Sequence, residues 1–205
     1  MKTLYGIARH TGGRYAVFKV PTNLGDVFMK IARDESTAVV EVDAERFLDL
    51  WRGPLSSHCE VAHGTVDTWP SDYKFADAEE GFSEGEWNPV PLALVSCATG
   101  HEYNLVESRS LFGLRKRLQS VQGKQHDQLS FTNGVTRTIW LLTAGAKAFP
   151  VSCHVDDAPL LQERAGANDT RFMTTAELLP DPTREQALAE LMALNERTEA
   201  KYGRD

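Results

Sequence analysis

Period-two patterning opens the chain. Over residues 14 to 20, Arg-Tyr-Ala-Val-Phe-Lys-Val, branched and aromatic residues put Tyr15 and Val17 on one face and Ala16, Phe18 and Val20 on the other. That predicts a strand limited by Gly12-Gly13 before it and Pro21 after it. Val27 to Ala32 and Thr37 to Val42 read the same way, divided by the polar turn Arg33-Asp34-Glu35-Ser36, and hairpins are the economical connection. The period then lengthens. Asp43 stands as an N-cap before a helix that carries Phe47, Leu50 and Trp51 on one face and stops at Gly53-Pro54. Residues 54 to 88 show no sustained period and read as a long irregular connection. Pro89 to Val95 is an extended entry followed by a short apolar segment, which fits a strand or a strand leading into a short helix.

The most informative pattern runs from residue 131 to residue 151. Asn133-Gly134 is a turn dipeptide in which Gly takes positive φ without steric cost. Ile139, Trp140, Leu141 and Leu142 fill most of a helix surface, Gly145 sits where a left-handed C-terminal cap is expected, and Phe149-Pro150-Val151 resumes a strand. A helix of roughly two to three turns is marginal alone, so burial must hold it. Its first turn presents unpaired N–H groups and a partial positive charge, which together make an anion site. Thr132, Asn133 and Thr136 add neutral donors there, and Arg137 adds a fork suited to phosphate or carboxylate oxygens. The same residues also admit a plainer assignment, with Asn133 or Thr136 as a helix cap and Arg137 in a surface ion pair. Downstream, Asp156 or Asp157 caps a helix through Leu160 and Leu161, and Thr174 to Glu177 matches a capping box. Residues 183 to 200 form an amphipathic helix whose stripe of Ala187, Leu188, Leu191 and Met192 is expected to dock on the protein's own core.

Charge and cysteine content narrow the chemistry. A net charge of −7 over 205 residues argues against a broad non-specific DNA-binding face. It leaves room for a local basic stripe, Arg109, Arg115, Lys116, Arg117 and Lys124, in which Arg115, Lys116 and Arg117 are the candidate DNA contacts. Asp77, Glu79, Glu80, Glu84 and Glu86 make an acidic segment; in a hydrolase Asp77, Glu79 and Glu80 are the first acids to test as activators of water. Cys59, Cys97 and Cys153 are odd in number and widely spaced, which points to reduced, mostly buried thiols, and His58 and His63 beside Cys59 match no usual zinc spacing. No apolar run approaches the roughly 20 residues that span a bilayer, and the first ten residues lack the apolar core of a secretory signal. The cytoplasm is the expected compartment.

The phrase from Phe131 to Arg137, its helix, Gly145 and Phe149-Pro150-Val151 together resemble the central motif of the ParB/sulfiredoxin superfamily, in which a Gly-x-x-Arg turn opens a helix on a nucleotide phosphate. More narrowly, Phe75-Ala-Asp-Ala-Glu-Glu-Gly-Phe82, Asn88-Pro-Val-Pro-Leu-Ala93 and Ser130-Phe-Thr-Asn-Gly-Val-Thr-Arg-Thr-Ile-Trp-Leu-Leu142 are similar to plasmid fertility-inhibition factors of the FiwA-like and Osa-like kind. The resemblance covers residues 69 to 166, with residues 98 to 130 as an insertion relative to the shortest superfamily members. Val135 and Thr136 occupy the part of the turn where sulfiredoxins carry their nucleophilic Cys, so sulfinate reduction is not expected. Of the acidic and arginine positions of a ParB-type turn, only that of Arg137 is matched.

The resemblance implies an α+β (mixed α/β) fold, with a strand-rich part at residues 1–68 packed on the same core, a ParB/sulfiredoxin-like domain at 69–180 and a C-terminal helix at 181–205. It also implies fertility inhibition, that is, a block on conjugative transfer of a co-resident plasmid. Two mechanisms follow. In one, an ATPase or DNase uses ATP and a divalent cation such as Mg, with Thr132, Asn133, Gly134, Thr136 and Arg137 on the phosphates and Arg137, Asp77, Glu79 and Glu80 in catalysis. In the other, a non-catalytic module occludes a component of the conjugation machinery, the coupling ATPase or a relaxase–DNA complex. A DNA-binding adaptor is a third and weaker alternative.

Overall fold

Two sheets share one apolar core. The structure, a computed structural model, describes residues 1–10, 13–109 and 116–202; the side chains of residues 104–119 and 201–202 are not described. In chain order the elements are β1 (Leu4–His10), β2 (Gly13–Thr22), β3 (Gly25–Ala32), β4 (Thr37–Asp43), α1 (Ala44–Trp51), α2 (Cys59–Ala62), α3 (Phe75–Ser83), β5 (Val90–Pro91) and β6 (Ala93–Arg109). They continue with β7 (Lys116–Asn133), α4 (Val135–Thr143), β8 (Ala148–His154), α5 (Ala158–Ala165), β9 (Met173–Thr174), α6 (Thr175–Leu178) and α7 (Arg184–Tyr202). The first sheet has the order β1-β2-β3-β5 and the second β7-β6-β8-β4-β9, so the fold is α+β as expected.

The β2–β3 register sets Phe18 opposite Met29 and Val20 opposite Val27, which brings all four onto the core face. β4 lies inside the second sheet, where both faces are covered, and Ala38, Val39, Val40 and Val42 are fully buried. Glu41 interrupts that apolar run at 1% exposure, and its carboxylate accepts from the Thr3 backbone N and Oγ1, both at 2.9 Å. The start of the chain thereby supplies donors to a carboxyl group that burial would otherwise leave without partners.

Local signals in the sequence are realised as side-chain bonds. Asp43 Oδ1 accepts from the amides of Glu45 (3.1 Å) and Arg46 (3.0 Å), and Thr174 and Glu177 form a reciprocal capping box. At the end of α4, Gly145 has φ +79; its N–H bonds to Leu142 O and that of Ala146 to Leu141 O, a Schellman arrangement. Asp157 precedes α5 but does not cap it; its Oδ2 accepts instead from Cys97 N at 3.3 Å.

Two expectations are corrected. Residues 54–88 are not irregular throughout, since they contain α2, α3 and two short 3-10 turns. Ala76, Ala78, Glu79 and Glu80 are good helix formers, and Ala78 and Phe82 at i, i+4 give α3 a buried edge that its acidic residues disguise. The described residues of the insertion at 98–130 lie in a long antiparallel β6–β7 ladder, from Leu94↔Asn133 to Arg109↔Lys116, whose polar composition hides the strand period. On α7 the predicted stripe faces outward, with Leu188 59%, Leu191 47% and Met192 56% exposed; another face of the helix lies on β1.

Candidate functional site

β7 delivers Phe131, Thr132 and Asn133 to the start of α4. Phe131 is anchored by the aromatic cluster beneath it, 4.7 Å from Trp51 and 6.1 Å from Phe47 between ring centroids. The chain then turns at Gly134, where glycine is needed twice. Its φ is +96, and a Cβ there would lie 2.7 Å from Ala93 Cα and Cβ, so the turn leans on the start of β6. No side chain caps α4, and the first helical bond runs from Thr138 N to Gly134 O at 3.0 Å. The first-turn amides of Val135 and Thr136 therefore lack helical partners.

α3 supplies the opposite wall. Phe82 stacks on Trp140 with centroids 4.4 Å apart and planes at 24°, which fixes α3 alongside α4. Between them opens a cleft of about 370 Å³, lined by Lys74, Asp77, Ala78 and Gly81 on one side and by residues 131–137 on the other. His58 closes one end. Its loop is tied to β7 by Ser56 Oγ, which accepts from Leu129 N (2.9 Å), and Ser57 Oγ, which accepts from Phe131 N (2.8 Å). His58 itself has φ +55, an unfavourable conformation for a non-glycine residue held by those neighbours.

Of the residues singled out in the sequence, Thr132, Asn133, Gly134, Thr136, Arg137 and Asp77 meet around this one cleft. Glu79 and Glu80, on the same helix as Asp77, are exposed and do not line it. Arg115 lies outside the described residues; Lys116 and Arg117 belong to β7, but their side chains lie outside the description as well. Sequence reasoning missed Lys74, and it took His58 for an incidental loop residue. Only contacts that bring residues 58, 74 and 133 together reveal either.

Arg137 does not project freely into the cleft. Its Nη1 donates to Pro91 O and to Leu92 O (3.2 Å), and its Nη2 donates to Asn133 Oδ1 (3.0 Å). Burial lowers its pKa from the usual arginine value. The guanidinium thus clamps the β5–β6 connection to the turn and orients Asn133, acting as a positioning group, while Lys74 is the exposed cation of the lining. Asp77 is the sole carboxylate in that lining, and no cluster of three or more metal-ligating side chains exists among the described residues. The donor set suits a phosphate group held by amides, hydroxyls and an ammonium. A magnesium ion would fit only as part of a phosphate complex, which is its usual mode of binding.

The other reactive groups lie elsewhere. Cys97 and Cys153 are buried, and desolvation pushes both thiols up to about 12; Cys59 is half-buried. No helix among the described residues is long and apolar enough to cross a membrane.

Comparison with known proteins places these features in a family. No curated protein matches the chain. A solved structure described as the crystal structure of Oncogenic Suppression Activity Protein, a plasmid fertility inhibition factor, in its gold(I) cyanide derivative, is 27% identical with a TM-score of 0.59, over 85% of this chain and 78% of that one. The model of the plasmid fertility inhibition factor family matches residues 39–166, a span that holds most of β4 and of the second sheet, α3, α4 and the whole lining of the cleft. The chain therefore belongs to the plasmid fertility inhibition factor family.

Proposed function

We propose that this fertility inhibition factor blocks conjugative transfer of a co-resident plasmid by engaging a phosphate-bearing ligand, a nucleotide or a nucleic-acid strand, in the cleft between α3 and α4. The observation that carries this reading is the convergence of Asp77, Lys74 and His58 on the uncapped first turn of α4. An acid was required from outside the turn, and α3 brings one across. In the hydrolytic form of the proposal Lys74 and the amides hold phosphate oxygens, and Asp77 takes a proton from the attacking water.

Arg137 favours the second reading, a blocker without hydrolysis, because its bonds to Pro91, Leu92 and Asn133 withdraw the strongest cation from the ligand. Lys74→Ala and Asp77→Asn separate the two. ATP binding and hydrolysis in the presence of magnesium would be measured beside the frequency of plasmid transfer from cells that carry each variant. In the hydrolytic form Lys74→Ala weakens ATP binding by roughly tenfold to a hundredfold, the range for a hydrogen bond to a charged group. Asp77→Asn keeps binding and loses turnover, and both variants lose inhibition. Inhibition retained by Asp77→Asn and lost by Lys74→Ala leaves a binding cleft without catalysis. Inhibition retained by both removes the cleft from the function.

A further inference from the structure

A second cavity lies far from the α4 turn, under the terminal helix. It has a volume of about 420 Å³, within the range of small-molecule sites. Its floor is one face of the first sheet: Gly6, Ala8 and His10 alternate along β1, and Val17 sits opposite Gly6. Its roof is α7, through Ala189, Ala193 and Leu194. Small side chains on both surfaces keep the space open, and a Cβ built on Gly6 would meet nothing within 4 Å.

Two polar atoms of the residues lining this chamber, Arg9 Nε and His10 Nε2, are buried without a hydrogen-bond partner. His10 is 8% exposed, and its Nδ1 lies 3.2 Å from the carbonyl oxygen of Trp87. A carbonyl only accepts, so Nδ1 carries the proton and Nε2 keeps its lone pair. Nε2 is buried without a hydrogen-bond partner. Burial, with help from the positive charges of Arg197 and Lys30, lowers the His10 pKa, so the ring stays neutral at pH 7 and Nε2 stays an acceptor. Glu190 is shared by Arg9 (Nε at 3.4 Å) and Arg14 (Nε at 2.9 Å), and Arg197 Nη2 lies 3.4 Å from Glu86, so cations outnumber carboxylates around the chamber. A cationic ligand would meet an excess of positive charge there, whereas an apolar body would meet Ala8, Val17, Ala193 and Leu194.

We propose that the chamber between β1 and α7 binds a largely apolar small molecule that carries no positive charge and whose hydroxyl or N–H group donates to His10 Nε2. This site is independent of the α3–α4 cleft and would survive failure of the function proposed for it. Indole and benzofuran test it, since they share size and shape and only indole carries an N–H donor. Titrated into the full chain and followed by ligand-observed NMR, indole binds about fivefold tighter than benzofuran, the yield of one ordinary hydrogen bond. His10→Ala removes that preference, Ala193→Phe fills the chamber and abolishes both, and Leu191→Ala on the outer face of α7 changes neither. Should Ala193→Phe detach α7, Gly6→Leu fills the same space from the sheet side. Equal affinity of the two probes for the wild type, binding that survives both filling substitutions, or no saturation by either probe at millimolar concentration would overturn the proposal.

Discussion

α4 and α7 are helices made by opposite means. α4 has nine residues, too few to persist in water, and Thr138, Ile139, Trp140 and Leu141 are each at most 5% exposed. α7 has nineteen residues, enough for strong helix formers to carry it, and its largest apolar side chains point to solvent. What holds α7 against β1 is mostly polar. Arg14 Nε lies 2.9 Å from Glu190, and the Arg197 guanidinium sits 5.3 Å from the centre of the Trp87 ring. A helix held by burial has no freedom in which face it presents. One held by a few polar anchors does, and an i, i+3, i+4 stripe of leucines does not choose that face for it. The difference extends to the two cavities, because the cleft is bounded by the wedged helix and the chamber by the anchored one.

The sharpest way to break this contrast is truncation of the apolar residues on each helix. Ile139→Ala should cost about 2–5 kcal/mol and Trp140→Ala about 3–5 kcal/mol, because a fully packed site cannot collapse around the void. Trp140→Ala also removes the stack with Phe82 and should loosen α3. Leu191→Ala, at 47% exposure, should stay within about 0.5 kcal/mol. Chemical denaturation of the three variants checks this; a large loss for Leu191→Ala would mean that the stripe is covered after all.

A smaller effect is expected at the clamp. Arg137→Ala leaves the oxygens of Pro91, Leu92 and Asn133 without their donor and should cost about 1–3 kcal/mol. Lys74→Ala, on the exposed wall of the same cleft, should leave stability within about 0.5 kcal/mol of the wild type. Melting curves of the two variants, run beside their transfer-inhibition assays, then separate a residue that shapes the cleft from one that serves the ligand. Equal stability of Arg137→Ala and the wild type would return Arg137 to the list of ligand groups.

What the sequence disclosed follows the range of the forces involved. The Asp43 cap, the Thr174–Glu177 box, the left-handed Gly145 and the β2–β3 hairpin are set by neighbours a few residues away, and all were legible. The turn at Gly134 was legible as well, but the engagement of Arg137 was not, because its partners Pro91 and Leu92 are brought in by a strand about 45 residues earlier. The same holds for Lys74, whose place opposite Thr136 depends on the stacking of Phe82 on Trp140. For α7 the deciding contacts are Arg9 and Arg14 on Glu190, charges that local periodicity cannot weigh.

The weakest expected effect is a dependence on pH that touches one helix and spares the other. His10 is held below its ordinary pKa of 6.5 first by burial, then by Arg197 and Lys30; the Trp87 carbonyl and Glu86 oppose the shift without reversing it. With its pKa lowered on folding, the native protein binds fewer protons than the unfolded chain once the pH drops below 6.5. The contribution of His10 is therefore complete above that value and is lost as the pH falls through 6.5 toward the folded-state pKa. Protonation adds a cation beside Arg197 and Lys30 near the β1–α7 contact, whereas Ile139 and Leu141 of α4 lie in the apolar core. Between pH 7.5 and 5.5, hydrogen exchange across residues 184–202 should quicken relative to residues 135–143 in the wild type, and His10→Gln should remove that pH dependence. If the variant and the wild type respond in parallel, the anchoring of α7 does not depend on a neutral His10, and the two helices differ only in how much of each is buried.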